Sequence, residues 1–199
     1  MKFEAAFNHN SLLGYKKSKN LYDEIQNLRD VEGDTAEVGV FRGHTSKLIH
    51  LLLADRTHYA YDTFCGIKGS DPSVDRHLDG EFSAGLESVK EIINMDDVIY
   101  KVGLFPDTFS EENKKFCLVH SDTDTYFGTK ATLARFAPLI VQGGKIIFDD
   151  YDWYMCPGVK KAVEEFKLED DNFTYKVYDN SYRDERDSTS INQCVLTRK

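Results

Sequence analysis

Short runs of apolar, often β-branched residues alternate along this chain with longer segments whose apolar residues recur every three or four positions. The short runs predict five strands, over residues 34–40, 57–61, 98–102, 116–120 and 145–148. The longer segments predict helices that bury Leu21, Ile25 and Leu28, that cover 47–53, 82–95 and 129–139, and that follow residue 158.

The order of these elements predicts an α/β fold. Strand–helix repeats form parallel sheets through right-handed crossovers, with helices on both faces. Alternating residues over 173–178 and 191–196 add an antiparallel pair, joined by the polar run 180–190. We therefore expect a Rossmann-like, mostly parallel seven-stranded sheet with a C-terminal hairpin. It forms one domain over 1–199, in which residues 1–30 make an N-terminal helical cap region.

The turn after the first strand is the first candidate for ligand binding. Gly39 and Gly43 follow apolar strand residues directly, and a helical segment begins at once. A strand, a glycine turn and a helix present backbone N–H groups to a ligand at the carboxyl end of the sheet. Glu37 lies near the same strand end. The spacing Gly-x-x-x-Gly is short, so an ordinary strand-to-helix turn is the alternative interpretation.

A second signal lies at the end of the next strand. Asp62 follows Gly43 by nineteen residues. An acidic residue at this spacing, after the second strand, is placed to accept hydrogen bonds from a ribose diol. Residues 63–80 are rich in Gly, Pro and Asp, which favours a mobile loop that orders over a bound ligand.

Four carboxylates follow the fourth and fifth strands: Asp122, Asp124, Asp149 and Asp150. The carboxyl ends of parallel strands meet at one edge, so these side chains are expected to lie together. Like charges that are so close require a counter-cation, and Mg²⁺ or Mn²⁺ prefers carboxylate oxygens. The alternative is solvated acidic loops in a chain with an isoelectric point of about 5.1. No Lys or Arg close in sequence relieves the crowding.

Composition and charge exclude several classes of protein. The net charge of −9 argues against a nucleic-acid partner. No apolar run approaches the roughly 20 residues of a membrane span, and the N-terminus lacks the apolar stretch of a signal peptide. The four cysteines match no zinc spacing, and Cys117 and Cys194 are expected to be buried free thiols. These features favour a cytoplasmic protein. The basic cluster of Lys16, Lys17 and Lys19 is expected to be a solvated face.

Six motifs together resemble the macrocin O-methyltransferase family, between about residue 34 and about residue 170. They are EVGVFRG at 37–43, DTFCG at 62–66, FS at 82–83, GLFPDT at 103–108, SDTDTY at 121–126 and GGKIIFDDY at 143–151. The resemblance implies a class I methyltransferase sheet. It also implies S-adenosylmethionine (SAM) as methyl donor and Mg²⁺ as a helper in the methylation of sugar hydroxyls.

The resemblance also assigns residues. It places Glu37 and Gly39 beside the methionine part of SAM and Asp62 beside the ribose, and it assigns the metal to Asp122, Asp149 and Asp150. The full set of residues expected to bind the cofactor is Glu37, Gly39, Phe41, Gly43, Asp62, Thr63, Phe64, Ser83, Gly103 and Phe105.

The expected reaction is methyl transfer to a hydroxyl of a small-molecule or glycan acceptor, with Asp122 taking the proton. The role of Asp124 remains open, because its carboxylate can replace that of Asp122 as a metal ligand or can cap the following helix. Two alternatives stay open: a metal-dependent methyltransferase for catechol-like phenols, which would use the same carboxylates, and an oxidoreductase that binds NAD or a nucleotide-sugar on a similar sheet. We expect no nucleic-acid or membrane partner, and a homodimer is compatible with the sequence.

Overall fold

The computed structural model describes residues 2–8, 10–180 and 191–199. Its strands are β1 (Asp34–Val38), β2 (His58–Asp62), β3 (Val98–Val102), β4 (Phe116–Ser121), β5 (Ile140–Tyr151), β6 (Phe173–Tyr178) and β7 (Asn192–Arg198). Its α-helices are α1 (Phe3–Ala6), α2 (Gly14–Gln26), α3 (His44–Leu52), α4 (Leu86–Ile93), α5 (Tyr126–Phe136) and α6 (Pro157–Glu169). A single 3₁₀ turn, Ala137–Leu139, links α5 to β5 in this described part of the chain.

The strands form one seven-stranded sheet in the order β3-β2-β1-β4-β5-β7-β6. The pairs from β3 to β5 are parallel, and β7 runs antiparallel to both β5 and β6. The sequence-based prediction of the fold is therefore confirmed. The strand order reverses between β1 and β4, and open α/β sheets bind ligands in the crevice at such a point.

Apolar residues from alternating strand positions fill both faces of the sheet. In β5, Ile146 and Phe148 pack on one face with α5 and α6, while Ile147 packs on the other with α2 and α3. A third cluster holds α4 through Val89 and Ile93, both fully buried. The expected helices on both faces are present. They leave the carboxyl ends of β1, β4 and β5 open to one side.

Two helix starts differ from the prediction. Helix α4 begins at Leu86, with Gly85 as N-cap, rather than at residue 82. Helix α5 begins at Tyr126 rather than at residue 129, because the Thr125 side chain accepts a hydrogen bond from the Gly128 N–H at 3.1 Å. This also excludes Asp124 as the cap of that helix. The polar run 180–190 lies outside the described residues, apart from Asn180.

The loop after β2, residues 63–80, contains no helix or strand, as expected, but it is anchored around Asp75. Asp75 is 2% exposed, and its two carboxylate oxygens accept hydrogen bonds from the N–H groups of Tyr126 and Asp71, both at 3.0 Å. Gly66, Ile67 and Lys68 line the cleft at the sheet edge. The part of the loop that faces the cleft is therefore separate from its anchor.

Hydrogen exchange is expected to show this division. Without ligand, the amides of Tyr126 and Asp71 are protected, whereas peptides that span 64–70 gain further protection when S-adenosylhomocysteine (SAH) restricts opening of the loop. Mass spectrometry of peptides with and without SAH measures this, with the α4 peptide as an unaffected control. Identical exchange of 64–70 in both states would contradict a closing loop.

All four cysteines are free; Cys117, Cys156 and Cys194 are buried, and Cys65 is exposed. The prediction of buried thiols at Cys117 and Cys194 is thus confirmed. Within residues 2–8, 10–180 and 191–199, no helix combines the length and the apolar character that crossing a bilayer requires.

Candidate active site

A cleft of about 320 Å³ lies at the carboxyl ends of β1, β4 and β5, within the size range of small-molecule sites. Most of the residues predicted to bind a ligand line it. They are Gly39, Phe41, Asp62, Thr63, Gly103, Phe105, Asp122, Asp149 and Asp150. Glu37 and Gly43 line a smaller adjoining pocket that shares Phe41 and Asp122 with the cleft.

Two predicted residues lie in neither pocket. Phe64 is 7% exposed and packs with Val40, Ala60 and Val89 beneath the loop, so its contribution is to hold the turn. Ser83 is exposed and lies outside both pockets. Its neighbour Phe82 lines the cleft instead. The motif Phe-Ser therefore reaches the cleft through its aromatic residue.

Gly39 is required by a close approach of two strands. Its φ is +87°, and a Cβ at this position would lie 2.7 Å from the carbonyl carbon of Asp122, and closer still to the carbonyl oxygen. Only glycine lets the backbone after β1 pass this close to the end of β4. The floor of the cleft is thus built from backbone, where a ligand can approach N–H and C=O groups directly.

Asp62 organises the turn that follows β1. One of its carboxylate oxygens, Oδ2, accepts hydrogen bonds from the N–H groups of Val40 at 2.7 Å and Phe41 at 2.9 Å. The other, Oδ1, accepts one from the Phe64 N–H at 2.6 Å. Because Oδ1 has a second lone pair, Asp62 keeps the capacity to accept a ribose hydroxyl while it holds two loops together.

Removing this carboxylate is expected to weaken cofactor binding. Asp62→Ala loses the acceptor for the ribose and releases three main-chain N–H groups, so the affinity for SAH should fall by about 1–3 kcal/mol. Isothermal titration calorimetry measures the loss. The SAH affinity of Asp62→Asn, which keeps one oxygen, should lie between the affinities of Asp62→Ala and the wild type. Unchanged SAH affinity in a folded Asp62→Ala protein would refute the assignment.

Glu37 is buried at 1% exposure within a chain of polar side chains. Its Oε2 accepts a hydrogen bond from the Ser46 hydroxyl, and its Oε1 from His120 Nδ1 at 2.9 Å. Ser46 in turn accepts from His58 Nε2 at 3.1 Å. Burial lowers the pKa of His58 to about 3, so this imidazole is neutral. These hydrogen bonds hold the Glu37 side chain at the base of the small pocket.

The four strand-end carboxylates are brought together as expected. Successive strand residues normally point to opposite faces. At the end of β5, however, Asp150 adopts a left-handed φ of +53°. The side chains of Asp149 and Asp150 therefore both reach the ammonium of Lys17. The ligand atoms of Asp122, Asp149 and Asp150 all lie within 4.8 Å of one another. Asp124 lies beside them, and its Oδ1 is 3.4 Å from the thiol of Cys156.

Sequence reasoning missed the partner of this acidic cluster. Lys17 of α2 is 4% exposed, and its Nζ lies 2.6 Å from Asp149 Oδ2 and 2.8 Å from Asp150 Oδ1. The expectation that Lys17 belongs to a solvated face is wrong. One signal in the sequence could have revealed the burial of Lys17, because Lys17, Leu21 and Ile25 are spaced four residues apart and share one face of the helix.

Burial and mutual repulsion shift the protonation equilibria of the cluster. Burial, together with the charges of Asp149 and Asp124, raises the pKa of Asp122 well above its usual value. For Lys17, burial alone would lower the pKa, but the charges of Asp149 and Asp150 more than reverse this, and the pKa is raised. Lys17 alone is therefore not enough to keep all of these carboxyl groups ionised.

The donor set of the cluster fits a hard divalent cation. All three side chains offer carboxylate oxygens, which are the ligands that Mg²⁺ and Mn²⁺ prefer. Asp149 Oδ1 is buried and has no hydrogen-bond partner among the described residues. An unpaired buried carboxylate oxygen costs free energy, and a bound cation would remove that cost.

Comparison with known proteins identifies the family. Residues 6–177 match the macrocin-O-methyltransferase (TylF) family. The chain belongs to this family. It is accordingly a SAM-dependent O-methyltransferase, as the motifs predicted. The alternative of an NAD-binding oxidoreductase is thereby excluded.

Individual relatives agree with the family match. A demethyldecarbamoylnovobiocin O-methyltransferase from Streptomyces niveus is 29% identical over 185 residues, which cover 82% of this chain and 70% of the relative. A tetracenomycin 4′-O-methyltransferase from Streptomyces olivaceus is 28% identical over 178 residues, covering 79% and 67% of the two chains. The solved structure of the O-methyltransferase NovP superimposes with a TM-score of 0.76 at 24% identity, covering 96% of this chain and 83% of NovP.

Membership of this family implies SAM as the cofactor. The cleft lies at the switch point of a class I methyltransferase sheet, with the backbone of Gly39 at its floor and Asp62 in its lining. The missing Cβ of Gly39 leaves this backbone open to the close approach of a ligand.

Proposed function

We propose that this methyltransferase transfers the methyl group of SAM to a sugar hydroxyl of a glycosylated small molecule, assisted by a divalent metal. The observation that carries the proposal is the gathering of Asp122, Asp149 and Asp150 at one edge of the cleft. Sugar hydroxyls are weak nucleophiles with a high pKa, so their methylation requires both a proton acceptor and stabilisation of negative charge.

The relatives support a sugar acceptor. The name of the Streptomyces olivaceus enzyme specifies a dimethoxy-rhamnosyl group on tetracenomycin C, and that of the Streptomyces niveus enzyme specifies a novobiocin precursor. Exposed apolar side chains of Leu12, Phe82 and Phe127 line the cleft of the present protein. An apolar rim of this kind favours an acceptor whose sugar is attached to an apolar body.

The metal would be held by one oxygen from each of Asp122, Asp149 and Asp150. When bound, it would supply Lewis-acid stabilisation of the negative charge that develops on the acceptor oxygen. The protein's own residues hold the two reactants in place. Gly39 and Asp62 fix the cofactor, and the cleft aligns the acceptor hydroxyl with the methyl group, so much of the acceleration comes from orientation.

Asp122 is the first candidate for the proton acceptor. Its raised pKa brings it closer to the pH at which a carboxylate accepts a proton efficiently. Asp124 is the second candidate, favoured because it lines the cleft, has a raised pKa and lies outside the group of three proposed ligands. The two assignments predict different activities for Asp122→Asn and Asp124→Asn.

A transfer assay with labelled SAM tests the proposal. Candidate acceptors are glycosides of deoxysugars, with catechols as the competing class and free phenols as controls. We expect transfer to a glycoside that excess chelator abolishes and that Mg²⁺ or Mn²⁺ restores. Full transfer in excess chelator would refute the role of the metal, and transfer to catechols alone would refute the sugar acceptor.

A cytoplasmic location, a homodimer, and the absence of nucleic-acid and membrane partners stay predictions. The extent of the single domain and the cap role of residues 1–30 likewise stay predictions, although Leu12, Leu13 and Lys17 from that region do line the cleft.

A further inference from the structure

Lys17 places a permanent positive charge inside the acidic cluster. Its side chain is 5% exposed, and its ammonium bonds one oxygen of Asp149 and one of Asp150. Lysine is almost never buried unless it is paired. Here the pairing is with two carboxylates that the proposed function assigns to a metal.

The position of this ammonium is set by the helix that carries it. Leu21, Ile25 and Leu28, in or just after α2, are fully buried against the sheet. Glu24 of the same helix pairs with Lys145 at 3.0 Å and Lys176 at 2.9 Å. Because α2 is fixed at these points, Lys17 approaches the carboxylates from a defined direction.

Lys17 leaves part of the cluster free. It bonds Asp149 through Oδ2, whereas Oδ1 of the same carboxylate is buried and has no hydrogen-bond partner in the described part of the chain. Asp122 lies within reach of the same site but makes no bond to Lys17 that the structure records. The ammonium and a divalent cation can therefore share the carboxylates, each bonding different oxygens.

The charges of Lys17, a divalent cation and the three proposed ligands balance. Asp122, Asp149 and Asp150 carry three negative charges when ionised. A divalent cation and one ammonium together carry three positive charges. Without Lys17, the loaded site would keep a net negative charge next to an acceptor oxygen that must itself become negative, which opposes the reaction.

We propose that Lys17 is a positioning residue of the metal site, which orients Asp149 and Asp150 and sets the net charge of the site. The inference rests on the proposed role of the metal. It predicts opposite effects of removing the charge. The affinity for a divalent cation rises, because repulsion between two cations is lost, while the rate of methyl transfer falls. A merely structural role would lower both.

Binding of Mn²⁺, measured by electron paramagnetic resonance without acceptor, gives a readout that is independent of activity. At pH 8.5, Lys17→Met is expected to bind Mn²⁺ about tenfold more tightly than the wild type. Lys17→Arg keeps the positive charge, so its affinity for Mn²⁺ should stay near that of the wild type. The matched control is Lys19→Met on the same helix, since the side chain of Lys19 is 41% exposed and Asp23 is its only charged partner among the described residues.

In the second readout, at saturating Mn²⁺, Lys17→Met should lower kcat at least about tenfold with an unchanged KM for SAM. Equal or weaker Mn²⁺ binding by folded Lys17→Met would overturn the role of Lys17 and leave the metal proposal intact. No Mn²⁺ binding by the wild type would overturn the metal proposal and this inference together. Thermal denaturation establishes folding, and Lys17→Gln, neutral but still a donor, replaces Lys17→Met if that variant does not fold.

Discussion

Asp122→Asn is expected to lower kcat by about 10²–10⁴-fold while the affinity for SAH changes little. The substitution removes a charge from the proposed metal ligands and, in the same step, the first candidate for the proton acceptor. It leaves the Asp62 side of the cleft untouched. Steady-state kinetics and SAH calorimetry on the same preparation measure the two effects separately.

Asp124→Asn is the matched variant, because Asp124 lies two residues away on the same cleft wall. If Asp122 takes the proton, Asp124→Asn retains Mn²⁺ binding and loses less rate. A loss of rate equal to that of Asp122→Asn, with Mn²⁺ binding intact, would instead make Asp124 the proton acceptor. Full activity of Asp122→Asn would refute both roles of Asp122.

Gly39→Ala is expected to destabilise the protein by about 2–5 kcal/mol and to abolish detectable SAH binding. Two causes add together. Alanine is strained at a φ of +87°, and its Cβ would meet the backbone of Asp122, which cannot move aside as a flexible side chain does. Chemical denaturation gives the change in the free energy of unfolding, and calorimetry gives the loss of binding.

Gly80→Ala separates these two causes. Gly80 has a similar φ of +93°, but a Cβ there would have no heavy atom within 4 Å. Gly80→Ala should therefore lower the free energy of unfolding only by the backbone strain, about 1–2 kcal/mol. Its affinity for SAH should stay close to that of the wild type. Equal destabilisation by both substitutions would show that the approach of β1 to β4 is not what requires glycine at position 39.

The sheet could be predicted because buried parallel strands are short continuous apolar runs. All five predicted parallel strands and the final pair exist, and only their ends moved. The helix boundaries were less predictable. Gly128 looks unfavourable in a helix, but a Cβ there would lie 2.6 Å from the Cβ of Thr123, so the first turn of α5 needs glycine for packing. A tertiary contact of this kind leaves no periodic signal.

The strand-end carboxylates could be predicted because topology alone brings the ends of β4 and β5 together. Lys17 could not be placed in the same way, since it is 132 residues from Asp149 in sequence and reaches it only through the packing of α2. The interpretation of the lysine cluster as solvated followed the usual behaviour of lysine. The buried position of Glu24 on the same helix shows that charge alone does not decide which face is buried.

A crystal structure of the protein with SAH and Mn²⁺, using anomalous scattering to locate the metal, tests the central claim most directly. The account predicts SAH in the cleft with its ribose at Asp62, and one anomalous peak bonded to Asp122, Asp149 and Asp150. Fully occupied SAH with no anomalous peak among these carboxylates, or SAH bound away from Gly39 and Asp62, would contradict it.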